Sequence, residues 1–303
     1  MVMIMKVDFM IIGAMKCGTS SLSSLLAEHP DISFSQPKEP SFFSDVPDWR
    51  SSLGQYHDLF RHKEAKIFGE GSTSYTKSLS RKVKVWEELH SYNKDLKLIY
   101  LIRHPVERAV SQYLHGYQRG FIDQPFNSAL YKSELLYVGR YYFQIWPFIE
   151  QFGRDKILIL KFEDFVRDHH TTLNMVSGFL GIDSAPFEGL ENIYKNVMNE
   201  RRVMTNQQEH KFRKYIGPIK SYLGGKAVNF IRERMIRKNE KRLKDFEFCL
   251  SDTEEEKILS FTRLDILNLQ QIIPFDVSDY LVPSKNGKYR PGRIIFPFGT
   301  SGG

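Results

Sequence analysis

The 303-residue sequence predicts an α/β fold, a three-layer sandwich with a central parallel sheet and helices on both faces, plus a C-terminal helical extension. Three observations carry that reading. Short aliphatic runs near Asp8, Ile32, Lys66, Leu98 and Ile157 alternate with stretches of helical periodicity, the pattern that βαβ units produce. The first run breaks into a glycine-containing loop that opens directly into a helix. Beyond residue 182 the helical patterns continue without clear strands between them. No Pro/Gly/Ser-rich linker divides the chain, so it reads as one domain over 1–303: an α/β core in 1–182, a helical part in 183–280 and an irregular tail in 281–303.

Composition narrows the function classes. A hydrophobic content of 41% and an aromatic content of 14% are ample for a packed core. The formal charge of +7 points to an anionic partner, yet no signature of a DNA- or RNA-binding module is present. Cys17 and Cys249 are too few for a disulfide framework, which favours a reducing compartment and a cytoplasmic protein. The opening MVMIMKVDFMII is interrupted by Lys6 and Asp8 and reads as a first strand with a short lead rather than as a signal. No uninterrupted apolar run reaches the roughly 18 residues that a membrane span needs. The histidines are scattered without metal-ligand spacing, and His169 with His170 reads as a surface pair, so no metal is expected.

The chain is organised around Asp8 to Leu26. Phe9 to Ile12 suit a strand buried on both faces, and Leu22, Leu25 and Leu26 give the following helix an apolar side. Between them lies GAMKCGTS. The amides of Gly18, Thr19 and Ser20 are the unpaired donors of a helix start and attract an oxyanion, to which Lys16 adds a full charge. In the nucleotide triphosphate loop, GxxxxGK followed by Ser or Thr, the Lys follows the second Gly; here Lys16 precedes Gly18 by two. Cys17 has an electropositive setting, but no His nearby in sequence would activate it as a nucleophile.

Next, Pro30, Pro37 and Pro40 exclude a helix from His29 to Asp45, leaving Ile32 and Phe34 as a short strand before KEPSFFSD. Helical spacing follows over Trp49 to Phe60, then a strand from Lys66 to Phe68 ending in GEGSTSY, and an amphipathic helix over Leu79 to Tyr92. Leu98 to Ile102 is a buried strand. Arg103 stands at its C-terminal end, where open α/β sheets bind ligands, and Pro105 suits the first turn of the next helix. Phe121 to Val138 reads as a loop with one short helix, of the kind that shapes an acceptor pocket. Helix, strand and short helix follow to Asp168, then LNMVSGFLGI as a helix capped by Gly181. Lys211 to Lys244 is basic with an apolar stripe of Val228, Ile231 and Met235. It reads as a solvated helix, although its charge would also suit an anionic acceptor or peripheral contact with an acidic membrane. Glu254 to Ile272 is a further helix.

These motifs together resemble the sulfotransferases that use 3'-phosphoadenosine 5'-phosphosulfate (PAPS), in their heparan sulfate and bacterial branch. GAMKCGTSSL is similar to the family's 5'-phosphosulfate loop, close to KxGTTxL, which implies a P-loop-like sheet and contacts from Lys16, Cys17, Gly18, Thr19, Ser20 and Ser21. KEPSFFSD resembles the KEPHFF or EVHFFD segment, whose Glu is the catalytic base and falls on Glu39. Chemistry also asks for such a group, because an attacking hydroxyl must lose its proton. Ser41 stands where His is frequent. GEGSTSY resembles a GExSPxY or EKTPxY turn, in which heparan members carry a second active-site Lys after the Glu. Here that position is Gly71, and cationic help rests on Lys16 alone or is shared with Lys38.

RHPVERAVSQY matches the 3'-phosphate motif RxPxxRxxSxY in full through Arg103, Pro105, Arg108, Ser111 and Tyr113. Arg103 and Ser111 would bind the phosphate, and Arg108 would be structural. Tyr141, Gln144 and Trp146 correspond to a further SxYxxQLxxW segment. Arg201 and Arg202 resemble a basic loop that some members fold over the cofactor. Lys38, Ser72, Tyr75, His115 and Tyr141 are the candidate acceptor contacts. The implied activity is metal-independent transfer of a sulfuryl group from PAPS to a hydroxyl, or less readily an amine, of a glycan, glycolipid or small natural product, leaving 3'-phosphoadenosine 5'-phosphate. Glu39 and Lys16 would be the catalytic residues, in a soluble enzyme of bacterial type. The rivals are a P-loop kinase-like phosphotransferase and a non-catalytic nucleotide- or glycan-binding module.

Overall fold

A computed structural model of the chain describes residues 6–77, 83–132, 134–187, 206–216, 220–243, 248–284 and 288–289. Five strands form one sheet: β1 (Phe9–Gly13), β2 (Ile32–Phe34), β3 (Ile67–Gly71), β4 (Lys97–Ile102) and β5 (Ile157–Lys161). All four pairings are parallel, in the order β2-β3-β1-β4-β5. Each strand matches a run expected from the sequence. The central strand β1 is buried along its whole length, as a parallel strand covered on both faces must be.

The order decides where ligands can bind. The crossover from β1 through α1 (Thr19–Leu26) reaches β2 on one side of β1, whereas the crossover from β3 through α4 (Val85–Tyr92) reaches β4 on the other. Right-handed crossovers in opposite directions put these helices on opposite faces. The order therefore reverses between β1 and β4, and the crevice beyond their carboxyl ends is where such sheets bind ligands. The loop carrying Lys16 follows β1 and Arg103 follows β4.

The chain gathers into two compact units that interleave along the sequence. The first comprises 1–104, 137–198 and 262–281 and holds the five-stranded sheet. Besides α1 and α4 it contains α2 (Phe42–Asp45), α3 (Leu53–His57), α7 (Tyr141–Phe152), α8 (Phe162–Arg167) and α9 (His169–Leu180), the last ending at Gly181 with φ of 79°. Beside β3, Phe43 meets Trp49, Tyr56 and Tyr92 at ring-centroid distances of 5.0, 5.2 and 4.9 Å. This cluster uses both the Phe of the KEPSFF segment and the expected Trp49–Phe60 turn, of which only Leu53–His57 is α-helical.

The second unit comprises 105–136, 199–261 and 282–303. Its α5 (Pro105–Arg119) and α6 (Phe126–Lys132) pack through Val110, Tyr113, Leu130 and Leu135 with Ile258 and Leu259. Arg108 is fully buried, donating to Gln112 Oε1 at 2.6 Å and to the Leu135 carbonyl, the structural role expected of it. On the helix Lys220–Leu243 the buried stripe is Val228 and Ile236, with Ile231 and Met235 half-buried. Phe248–Cys249 pairs antiparallel with Lys288–Tyr289, so part of the expected irregular tail forms a strand too short to leave a pattern. Among the described residues no helix is long and apolar enough to cross a membrane.

Candidate active site

The loop between β1 and α1 is shaped by two residues with positive φ. Gly18 precedes the helix at φ 88°, and a Cβ there would lie 2.7 Å from the Phe162 ring, so both backbone and space require glycine. Lys16, at φ 72°, carries a side chain in the same region, where strain is tolerated mainly at ligand-binding turns. The Ala14 amide donates to the Leu101 carbonyl at 2.8 Å and the Cys17 amide to the Ala14 carbonyl at 3.2 Å, binding the loop to β4 and to itself. The Ser21 and Leu22 amides donate to the Gly18 carbonyl at 3.0 and 3.1 Å, while the amides before them precede any carbonyl one turn back within the helix. Cys17 is fully buried, its Sγ 3.8 Å from the Tyr141 hydroxyl, and its amide serves the loop. Thr19 and Ser21 are buried, and Ser20 is exposed.

Lys38 and Glu39 reach this loop from the segment after β2. Lys38 Nζ donates to Ser20 Oγ at 3.2 Å and to Glu39 Oε1 at 2.9 Å. Thr73 Oγ1 donates to Glu39 Oε2 at 3.2 Å. Glu39 is thus paired with its neighbour and also held from the turn after β3, while its side chain stays 41% exposed and open to an incoming hydroxyl. Ser41, where the resembling segment has His, sits at φ 51° with its amide on Ser72 Oγ at 3.0 Å and its hydroxyl taking a bond from Ser74 at 2.9 Å.

Arg103 completes the crevice in the first unit. It is buried, its guanidinium 4.7 Å from the Phe162 ring centre and its Nη1 3.4 Å from the Lys16 carbonyl. The Tyr141 hydroxyl donates to the Arg103 carbonyl at 2.5 Å and receives its amide at 3.3 Å. The next amide, of His104, donates to Glu163 Oε1 at 2.9 Å, and Glu163 Oε2 accepts from Tyr280 at 2.6 Å. Among the described residues, then, the first unit brings together a lysine-bearing anion loop, a held carboxylate and a buried guanidinium.

Residues 6–244 match the family model described as "Sulfotransferase domain". The chain belongs to the sulfotransferase family. Among curated relatives it is 26% identical over 249 residues to heparan sulfate glucosamine 3-O-sulfotransferase 3A1 of Mus musculus, covering 78% of this chain and 58% of that protein. It is 23% identical over 243 residues to carbohydrate sulfotransferase 15 of Rattus norvegicus, covering 57% of this chain and 43% of the relative. The chain thus spans little more than half the length of the first of these relatives and less than half of the second. A solved sulfotransferase from Alicyclobacillus acidocaldarius superimposes with a TM-score of 0.64 at 22% identity, covering 91% of this chain and 99% of that one, which shows a shared fold.

Several residues expected to touch the acceptor are buried and hydrogen-bonded within the first unit. Ser72, Tyr75 and Tyr141 are fully buried. Ser72 receives the Ser41 amide, Tyr75 receives the Phe43 amide at 3.5 Å, and Tyr141 brackets the Arg103 backbone. A tyrosine that packs and one that lines a site give the same sequence signal. Ser111 and His115 stand half-buried on α5, in the second unit. Arg201 and Arg202 lie outside the described residues.

Sequence reasoning missed five residues in the first unit. Phe162 and Glu163 open α8 directly after β5, and their place at a strand's carboxyl end was the available signal; Tyr280 gave none. Glu70 is fully buried at the end of β3, and neither of its oxygens has a partner in good hydrogen-bond geometry among the described residues. Burial pushes its carboxyl up to about 8, against the partial relief that the hydroxyls of Tyr75 and Ser72 give its ionised form. More remotely, Asp265 accepts the Tyr142 and Phe143 amides at 2.9 Å each and so anchors the start of α7, which carries Tyr141. Burial pushes that carboxyl up to about 6.

Proposed function

We propose that this chain transfers a sulfuryl group from PAPS to a hydroxyl of a glycan, glycolipid or small-molecule alcohol, releasing 3'-phosphoadenosine 5'-phosphate. The observation that carries the reading is the run Ser20, Lys38, Glu39, Thr73, which places a carboxylate one cation away from the first turn of an anion-binding helix. The residues present fit such a donor. Half-buried Lys16 and the first-turn amides suit its 5'-phosphosulfate, and the buried Arg103, whose planar fork matches a phosphate, suits its 3'-phosphate. Ser111 joins that assignment on its sequence motif alone, as Arg201 and Arg202 join the cofactor loop.

When bound, the donor supplies the sulfuryl group and a leaving phosphate that needs no redox chemistry. The chain's own groups do the rest. Glu39 takes the acceptor's proton at a carboxylate oxygen as the acceptor oxygen attacks. Lys16 and the amides at the start of α1 would stabilise the charge that collects on the departing phosphate. No metal is assigned, because fixed cations and amides cover the charge that one would neutralise. Acceptors of the polysaccharide type follow from the relatives named for heparan sulfate and carbohydrate. Two cysteines outside any disulfide suit a reducing compartment such as the cytoplasm of a bacterial-type cell.

Labelled PAPS offered with a panel of glycan and small-alcohol acceptors, with and without chelator, tests the reading. Label should move to an acceptor in both conditions. Strict dependence on ATP and magnesium would replace it with a phosphotransferase, and donor binding without transfer to any acceptor would replace it with a binding module.

A further inference from the structure

The end of β3 leaves a lane for one particular side chain. A Cβ on Gly71 would stand 3.4 Å from Lys38 Cε, 2.9 Å from Ser23 Oγ and 3.5 Å from Ile11 Cβ. The Gly71 amide also donates to the Lys38 carbonyl at 3.3 Å, which holds the Lys38 backbone against the end of β3. Ser35 Oγ donates to the same carbonyl at 3.3 Å and to that of Pro37 at 3.1 Å, fixing the segment from its other side. Along this track the Lys38 stem crosses the end of β3 to the first turn of α1. Its ammonium stops between Ser20 Oγ and Glu39 Oε1, at 3.2 and 2.9 Å.

An ion pair as open as this one, with side chains 25% and 41% exposed, adds little to folding stability. Its geometry nevertheless joins the two functions of the site, since one ammonium touches both the anion-binding turn and the carboxylate. We infer that Lys38 is the positioning residue of the reaction: it ties the proton acceptor Glu39 to the donor loop through Ser20. This rests on Glu39 being the proton acceptor of the proposed transfer. Glu39 Oε1 is held by Lys38 and Oε2 by Thr73, so the carboxylate cannot swing away from the loop while both bonds stand. Each oxygen keeps a second lone pair for the acceptor proton.

The test uses the full chain and reads binding and turnover separately. Lys38→Ala should lower kcat roughly 100-fold, as loss of one positioned charged donor does, and weaken 3'-phosphoadenosine 5'-phosphate by no more than about 10-fold in calorimetry without acceptor. The thermal midpoint should not move. In a double-mutant cycle with Glu39→Gln, the second substitution should cost far less than it does alone, because the two residues act as a unit. A lysine delivered from the other side should restore part of the loss: Ser23→Ala/Lys38→Ala/Gly71→Lys should exceed Ser23→Ala/Lys38→Ala in kcat, the Ser23 change removing the hydroxyl that a new Cβ would meet. Turnover of Lys38→Ala within about 3-fold of wild type, or losses that simply multiply in the cycle, would overturn the inference and leave the transfer reaction standing. Absence of transfer by the wild-type chain would overturn the functional reading, and this inference with it.

Discussion

Replacing Glu70 by Gln should stabilise the protein, and by more the higher the pH. The carboxyl is fully buried and pushed up to about 8, from an ordinary value of 4.5. Between those two values the unfolded chain has released the proton and the folded chain still holds it, so stability falls as pH rises through this window. One pKa unit corresponds to about 1.4 kcal/mol, so the Glu70 contribution falls by about 3 kcal/mol between pH 5 and pH 8 and then levels off. Gln keeps the shape and cannot ionise. Urea unfolding of both proteins at pH 5, 7 and 9 gives the comparison: the advantage of Glu70→Gln should be small at pH 5 and approach that figure by pH 8, with unchanged m-values. Parallel stability profiles, or an advantage that shrinks with pH, would show that Glu70 ionises readily in the folded protein and would refute the reasoning.

Three further outcomes are expected. Glu39→Gln should lower turnover by roughly 100-fold or more while 3'-phosphoadenosine 5'-phosphate still binds in calorimetry, because it removes a proton acceptor and leaves the anion loop intact. Gly18→Ala should cost about 2–4 kcal/mol in urea unfolding, combining the penalty of a positive φ with a Cβ driven into the Phe162 ring, and should weaken the same ligand through the loop. Tyr141→Phe should cost about 1–3 kcal/mol, because it strips the hydroxyl that brackets the buried Arg103 backbone. Its effect on ligand affinity should exceed its effect on kcat, since Arg103 is assigned to the phosphate away from the transferred group.

The sheet was legible because its signal is local. β1, β2, β4 and β5 are largely buried apolar runs, and hydrophobic patterning reports that burial directly. The loop at Lys16 and the segment at Glu39 were legible because glycine, proline and charge fall at fixed spacing. What the sequence hid is contact between distant positions. Phe162 lies 59 residues after Arg103 and nonetheless carries its guanidinium, and Asp265 anchors a helix that starts more than 120 residues earlier. Glu70 was hidden differently: a carboxylate in a turn reads as exposed until the rings of Phe43, Tyr56 and Tyr75 are seen to close over that end of β3. Ser72 and Tyr75 stood in a recognisable turn, and their burial followed from that same closure.

The strand order also separates two kinds of evolutionary freedom. Lys38, Glu39 and Thr73 come from the turns after β2 and β3, on one flank of the central strand, whereas Arg103 and the Phe162–Glu163 pair come from the turns after β4 and β5, on the other. Only the Lys16 loop belongs to the strand between them. Under the proposed transfer, substitutions on the β2–β3 flank can therefore retune which alcohol is accepted while the opposite flank goes on holding an unchanged nucleotide. A lineage could diversify its products one flank at a time, without rebuilding the donor site at each step.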